Sequence, residues 1–112
     1  MSSGVTETGL SSEAVKIHRA LASLQEELEA IDYYHQRVNV SSDEALKAIL
    51  AHNRDDEMEH AAMLLEWLRR ALPGLDLQMR KFLFTSGDIT ALAAGGQPPA
   101  PGGTGPAGGN LN

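Results

Sequence analysis

The sequence contains no cysteine and few aromatic residues, with one Trp, two Tyr and two Phe among 112 residues. Without Cys, a disulfide scaffold, a thiolate zinc site and a cysteine nucleophile are excluded. No apolar run approaches the roughly 18 residues of a membrane span, and Met1–Leu10 has neither the basic nor the apolar part of a secretory signal. A net charge of −6 gives no basic surface for nucleic acid. We therefore expect a cytoplasmic protein that binds neither nucleic acid nor a membrane.

Glycine and proline are scarce in most of the chain but concentrated at one end. Seven of the eleven Gly and four of the five Pro lie in residues 94–112, where no side chain is charged. Such a composition buries too little apolar surface to offset the entropy of ordering it, so we predict a disordered Gly/Pro-rich tail over 94–112. A flexible N-terminus over residues 1–11 is also predicted, which leaves one helical domain over residues 12–93.

Apolar residues recur at helical spacing in two long segments. The first predicted helix begins at Ser11 or Ser12, both favourable N-caps, and continues to residue 38 without Gly or Pro. A break over residues 39–42 follows, where Ser41 and Glu44 have the spacing of a capping box for the second helix. Because this connection is short, we expect the two long helices to be antiparallel neighbours.

The second helix is predicted to end near Ala71, where Leu72-Pro73-Gly74 interrupts the pattern. Residues 75–84 then favour a third, shorter helix, and residues 89–93 one further turn. The sequence therefore predicts an all-α fold of two long antiparallel helices and a short C-terminal helix. Two long helices alone leave apolar faces uncovered, which points to dimerisation.

Polar side chains interrupt the apolar stripe of the second helix at its midpoint. Asn53, Glu57 and His60 occupy stripe positions that hold Leu, Ile and Trp elsewhere in the same helix. A buried charge there is destabilising unless it has a partner. Glu57 and His60 form a Glu-x-x-His motif, and positions i and i+3 share a helix face, so the carboxylate and the imidazole can bind one ion.

The first helix supplies an acidic side chain beside its own stripe. Glu27 lies three residues after Leu24 and four before Ile31, which turns it partly inward. Di-iron bundle proteins take one Glu from each of two helices and a Glu-x-x-His from each of the other two. This chain carries half of that set, and a two-fold dimer supplies the other half. The pattern predicts a site of Glu27, Glu57 and His60 from each of two chains, suited to iron, manganese or zinc.

Other interpretations of these residues stay open. His52, Asp56 and His60 are spaced i, i+4, i+8 and can instead bind one zinc-like ion. The cluster can also be a non-catalytic, metal-stabilised dimerisation module, or an adaptor interface in which the side chains only form hydrogen bonds. Tyr34 lies seven residues after Glu27 and either approaches the site or only packs. The remaining expectations are a surface His18, a core-edge His35, and core positions for Met63 and Trp67.

Several blocks of the sequence resemble the encapsulated ferritins. The matching blocks are Gln25–Tyr34, Ala51–Met63, Leu65–Arg70 and Phe82–Thr85. The resemblance implies a half-ferritin that forms a ferritin-like four-helix bundle on dimerisation and assembles into a ring-shaped decamer. It implies a ferroxidase that oxidises Fe(II) with dioxygen at a di-iron centre in the dimer interface. The expected role is iron storage and detoxification as cargo of an encapsulin shell, in a cytoplasmic nanocompartment.

The resemblance also implies roles for individual residues. It assigns the ferroxidase ligands to Glu27, Glu57 and His60. Two neighbouring acidic residues, Glu26 and Glu29, match positions of an access site or secondary metal site.

Two tyrosines and the tail complete what the resemblance implies. Tyr34 matches a tyrosine beside the di-iron centre, whereas Tyr33 stands where the family's Trp is expected. Cargo proteins of this kind usually carry a short apolar and basic docking peptide at the end of the chain. Residues 108–112 contain no basic residue and one aliphatic one.

Overall fold

The computed structural model describes residues 4–95, and this part of the chain contains helices and no strands. The helices are α1 (Ser12–Val40), α2 (Glu44–Ala71), α3 (Pro73–Phe82) and α4 (Ile89–Ala93). The all-α prediction is confirmed. Within residues 4–95, no helix has both the length and the apolar character that crossing a membrane requires.

The described residues fall into two compact units, the first ending at Ala71 and the second beginning at Leu72. The predicted domain boundaries at residues 12 and 93 stay predictions. The tail predicted over 94–112 lies outside the described residues except for its first two positions.

Helix α1 begins at a side-chain cap, as predicted. The hydroxyl of Ser11 accepts a hydrogen bond of 3.1 Å from the backbone N–H of Ala14. This contact satisfies one of the amides that have no partner inside the first turn of a helix. The helix ends at Val40, two residues later than predicted, and the backbone N–H of Ser41 donates to the carbonyl of Arg37.

The cap of α2 differs from the prediction, and the Ser41–Glu44 capping box is wrong. The carboxylate of Asp43 accepts a hydrogen bond of 3.0 Å from the backbone N–H of Leu46. The hydroxyl of Ser41 donates instead to the carbonyl of Asp43 at 3.4 Å. Asp43 directly precedes the first helical residue, and its ionised oxygen is a stronger acceptor than a hydroxyl.

The α1–α2 hairpin is antiparallel and buries little of its apolar surface. Leu21, Leu28 and Ile49 are exposed by 43, 51 and 58%. Met63 and Trp67 were predicted in the core but are exposed by 58 and 39%. That prediction is wrong for a single chain, because a two-helix hairpin gives each helix one neighbour and leaves its other faces without packing. The buried apolar side chains of the hairpin are Ala20, Leu24, Ala61 and Leu68, of which Leu68 is fully enclosed.

The first helix of the second unit starts with a proline. Helix α3 begins at Pro73 rather than Leu75, because the missing N–H of Pro has no intrahelical partner to lose in the first turn. It ends at Phe82 rather than Phe84, whose φ of 61° lies in the left-handed region. In α4, Leu92 is buried with 3% exposure.

Candidate metal centre

Three side chains with ligand atoms converge near the middle of the hairpin. One ligand atom each of Glu27, Glu57 and His60 lies within 4.8 Å of the other two. Glu57 and His60 share a face of α2 because they are three residues apart, and Glu27 meets them from the antiparallel α1. We call these three residues the central cluster. They are the three residues that the sequence pattern singled out in one chain, and their role as metal ligands stays a prediction.

The imidazole of His60 faces both carboxylates of the central cluster. Its Nδ1 lies 3.3 Å from Oε1 of Glu57 and 3.4 Å from Oε1 of Glu27. The hydrogen bond with Glu57 raises the pKa of His60, and the negative charge of both carboxylates adds to this shift. A metal ion therefore competes with protons for this imidazole.

The two carboxylates of the central cluster perturb each other. A side-chain hydrogen bond with Glu57 raises the pKa of Glu27, and partial burial adds to the effect. The same contact lowers the pKa of Glu57, and the hydrogen bond with His60 lowers it further. Like charges at this distance do not both ionise without a counter-charge. A cation near both carboxylates therefore stabilises the doubly ionised pair.

The central cluster fits a metal ion. Among residues 4–95, Oε1 of Glu27 is enclosed and no hydrogen bond reaches it, although Nδ1 of His60 lies 3.4 Å away. Metal–ligand bonds of about 2.0–2.2 Å place donors on opposite sides of an ion about 4.0–4.4 Å apart, so donors within 4.8 Å need only a small contraction. Two carboxylates and one imidazole suit iron, manganese or zinc.

The acidic residues beside Glu27 lie outside the central cluster in a single chain. Glu26 and Glu29 are both exposed. The carboxylate of Glu29 accepts a hydrogen bond of 3.2 Å from the hydroxyl of Tyr33, which raises the pKa of Tyr33. The role of Glu26 and Glu29 at an access site stays a prediction. The spacing of four residues between Glu29 and Tyr33 was the available sequence signal for this contact.

Tyr34 is half-buried, and the guanidinium of Arg37 lies over its ring at 5.5 Å from the centroid. No hydrogen bond joins its hydroxyl to the central cluster within the described residues, so its catalytic role stays a prediction.

The zinc-like alternative is not assembled among the described residues. His52 pairs with Asp56 at 3.3 Å on the exposed side of α2. His60 turns instead toward Glu27 and Glu57. His52 and His60, which are positions i and i+8 of the alternative, therefore contact different carboxylates.

A contact that the sequence did not indicate joins the two helices near the cluster. Arg54 donates a hydrogen bond of 3.2 Å from Nη1 to Nδ1 of His35. His35 is exposed rather than at the edge of a core, and His18, expected at the surface, is half-buried. Arg54 and His35 are 19 residues apart, and no local spacing rule connects them.

A family model described as EncFtn-like matches residues 4–86. The chain belongs to the EncFtn-like family. The matched part contains α1, α2 and α3 together with all three residues of the central cluster.

Three curated proteins show the same relationship. A "Ferritin-like protein" of Thermotoga maritima is 61% identical over 74 residues, which are 66% of this chain and 65% of the relative. An "Encapsulated ferritin-like protein" of Rhodospirillum rubrum is 58% identical over 85 residues, 76% of this chain and 61% of the relative. The "Encapsulin nanocompartment cargo protein EncC" of Myxococcus xanthus is 39% identical over 51 residues, 46% of this chain and 39% of the relative. The matches span less than two thirds of each relative.

A solved structure confirms the EncFtn-like fold. The crystal structure of protein ne0167 from Nitrosomonas europaea is similar with a TM-score of 0.74 and 56% sequence identity. The match covers 77% of this chain and 96% of that chain. The ferritin-like helical fold is therefore shared by a chain of closely related sequence.

Proposed function

We propose that the protein is a ferroxidase, which oxidises Fe(II) with dioxygen at a di-iron centre shared between two copies of the chain. The observation that carries this proposal is the convergence of Glu27, Glu57 and His60 within 4.8 Å. A Glu helix and a Glu-x-x-His helix are half of the ligand set of ferritin-like di-iron proteins. Two-fold pairing brings a second, identical half against the first.

The apolar surface of the hairpin supports pairing of two chains. Leu21 and Leu28 of α1 and Ile49 of α2 are large apolar side chains that one hairpin leaves exposed. A second copy on this surface removes them from water and closes a four-helix bundle. The proposal includes assembly of these pairs into a ring-shaped decamer, as family membership leads us to expect.

Iron is the substrate of the proposed reaction. Glu27 and Glu57 bind and neutralise the incoming cations, and His60 binds through a deprotonated ring nitrogen. Each Fe(II) then loses one electron, and dioxygen is the acceptor. Anionic ligands bind Fe(III) more strongly than Fe(II) because its charge is higher, so the carboxylates favour oxidation. The net charge of −6 attracts further cations to the protein.

We propose further that the protein works as cargo of an encapsulin shell. The relatives from Rhodospirillum rubrum and Myxococcus xanthus carry names that describe an encapsulated protein and an encapsulin nanocompartment cargo. By similarity to them, the oxidised iron is stored inside a cytoplasmic nanocompartment, which removes Fe(II) from solution.

Oxygen consumption after addition of Fe(II) tests the proposed reaction. The wild-type protein is expected to consume oxygen in proportion to the iron added, and Glu57→Ala is expected to abolish this. Glu59→Ala is the matched control, because it removes the same charge from an exposed position two residues away on α2. Metal binding without oxygen consumption would contradict the ferroxidase and favour a metal-stabilised dimerisation module.

A further inference from the structure

A hydrogen bond across the hairpin lies close to the central cluster. Nη1 of Arg54 on α2 and Nδ1 of His35 on α1 are 3.2 Å apart. A guanidinium has donors and no acceptor, so Nδ1 of His35 must accept, and the imidazole proton is on Nε2. The contact therefore fixes both the tautomer and the direction of the bond.

Arg54 is held in place at two points. Its Nε lies 3.3 Å from Oδ1 of Asp55, and its side chain retains 22% exposure. The planar guanidinium presents its N–H groups in a rigid fork, so anchoring Nε directs Nη1 toward the partner helix. The half-buried guanidinium of Arg54 has one partner on each helix, Asp55 on α2 and His35 on α1. We call this link between the two helices the tether.

The buried core fixes only one half of the hairpin. The enclosed apolar residues Ala20 and Leu24 precede Glu27, and Ala61 and Leu68 follow Glu57. From residue 28 to residue 56, which includes the whole connection side of the hairpin, no side chain is buried. Apolar packing therefore constrains the alignment of the two helices less on that side of the central cluster, where Ile31 and Leu50 are only half-buried.

The tether lies on the side that lacks a buried core. Arg54 precedes Glu57 by three residues, and His35 follows Glu27 by eight, about 12 Å along α1. The two carboxylates repel each other when both are ionised, which pushes the helices apart at this level. A shift of α1 by one residue moves Glu27 by about 1.5 Å, more than the roughly 0.5 Å that a binding site tolerates.

We infer that Arg54 and His35 are positioning residues, whose hydrogen bond holds α1 and α2 in the alignment that brings Glu27 against Glu57 and His60. Among the described residues, no hydrogen bond or ion pair joins either side chain to the cluster, and they act by fixing the helices that carry it. The inference rests on the proposed function in one respect, which is that the central cluster binds Fe(II).

Anaerobic titration of the full-length protein with Fe(II) alone tests this role. Arg54→Met and His35→Leu are each expected to weaken binding by about 10- to 100-fold, the usual effect of removing a residue that orients a metal ligand. The double variant is expected to bind no more weakly than either single variant, because both remove one interaction. Arg70→Met is the matched control, since Arg70 bonds to Glu66 on its own helix, and is expected to bind as wild type.

Two further observations separate positioning from general stabilisation. His35→Gln retains an acceptor and is expected to restore most of the affinity that His35→Leu loses. In metal-free protein, the nitrogen chemical shifts of His35 are expected to show the Nε2–H tautomer in wild type and a mixture of tautomers in Arg54→Met. If Arg54→Met does not fold, Arg54→Lys replaces it and is expected to lose affinity as well.

The outcomes distinguish this inference from the proposed function. Variants that unfold at lower temperature but bind Fe(II) as tightly as wild type overturn the positioning role. A wild-type protein that takes up no Fe(II) overturns the proposed function, and the tautomer of His35 then decides alone whether the tether exists.

Discussion

Two charged clusters, one within α2 and one shared between α1 and α2, have opposite states of charge balance. In the cluster near the C-terminal end of α2, one carboxylate, Glu66, accepts hydrogen bonds of 2.7 and 2.8 Å from Arg70 and Arg69. In the central cluster, two carboxylates share one imidazole at 3.3 and 3.4 Å. The first cluster has more cationic donors than carboxylates, and the second has more carboxylates than donors.

The difference separates a structural cluster from a candidate binding site. The guanidinium groups lower the pKa of Glu66 to about 2, so its charge is stabilised by the protein itself. Glu57 raises the pKa of Glu27 instead, and Oε1 of Glu27 is enclosed without a hydrogen bond among the described residues. The carboxylate of Glu66 already has two cationic partners in the protein, whereas an added cation would stabilise the two carboxylates of the central cluster.

Loss of a ligand is expected to have the largest effect. Glu27→Ala, Glu57→Ala or His60→Ala should weaken Fe(II) binding by at least about 100-fold, since even residues that only orient ligands contribute 10- to 100-fold. Anaerobic Fe(II) titration measures this. Glu66→Ala removes a carboxylate from α2 outside the central cluster and should leave the affinity unchanged. A similar loss in Glu66→Ala would break the distinction between the clusters.

Removal of one charge is expected to change stability in opposite directions at the two clusters. In the presence of a chelator at pH 7, Glu27→Gln should stabilise the fold by about 0.5–1.5 kcal/mol, because its amide donates a hydrogen bond where a carboxylate repels Glu57. Glu66→Gln should destabilise the fold, because it removes the charge that two guanidinium groups bind. Urea denaturation of the two variants measures both signs. Destabilisation by Glu27→Gln would show that the metal-free cluster is already balanced.

The pH dependence of the metal-free protein should also differ between the clusters. The raised pKa values of His60 and Glu27 mean that their protonated forms stabilise the fold at low pH, and this stability is lost as pH rises through those raised values. The lowered pKa of Glu66 acts in reverse, since its contribution is present above 4.5 and is lost as pH falls toward about 2. Unfolding curves across pH for wild type, His60→Gln and Glu66→Gln separate the two contributions.

Fe(II) binding should weaken as the solution becomes more acidic. A metal ion competes with protons for His60 and Glu27, and their raised pKa values make this competition stronger than at unperturbed groups. Titration at several pH values measures the effect, and proton release on binding is the complementary signal. An affinity that does not change with pH would contradict binding at the central cluster.

The smallest effect is expected at the end of α2. Arg70→Met should lower the unfolding temperature only slightly, because Arg70 is exposed by 73% and exposed ion pairs contribute little. Thermal unfolding measures this, with Fe(II) titration as the control for an unchanged site. A large destabilisation would show that this cluster supports more than the helix end.

The central cluster was predictable from the sequence because local rules determine most of it. Glu57 and His60 share a face through their spacing of three residues. The short connection between α1 and α2 makes the hairpin antiparallel, which brings Glu27 opposite them. The sequence also placed the ends of the long helices within two residues.

Two kinds of feature were not predictable: the choice between neighbouring cap residues, and the surroundings that depend on residues far apart in the sequence. Asp43 and Ser41 are both acceptable caps, and the identity of the cap follows from which residue directly precedes the first helical turn. The contact between Arg54 and His35 depends on the reach of a long side chain across two helices, which no sequence period encodes. The exposure of Met63 follows from the geometry of a two-helix hairpin, which leaves one side of each helix uncovered.

The central claim is that Glu27, Glu57 and His60 form half of an iron site that two chains complete. Native mass spectrometry during anaerobic Fe(II) titration tests it most directly, because it counts the irons in each oligomer. The account predicts iron-free single chains, two irons per pair of chains, and no bound iron in Glu57→Ala at any oligomeric state. Single chains that bind iron as tightly as pairs, or pairs that form without taking up iron, would contradict it.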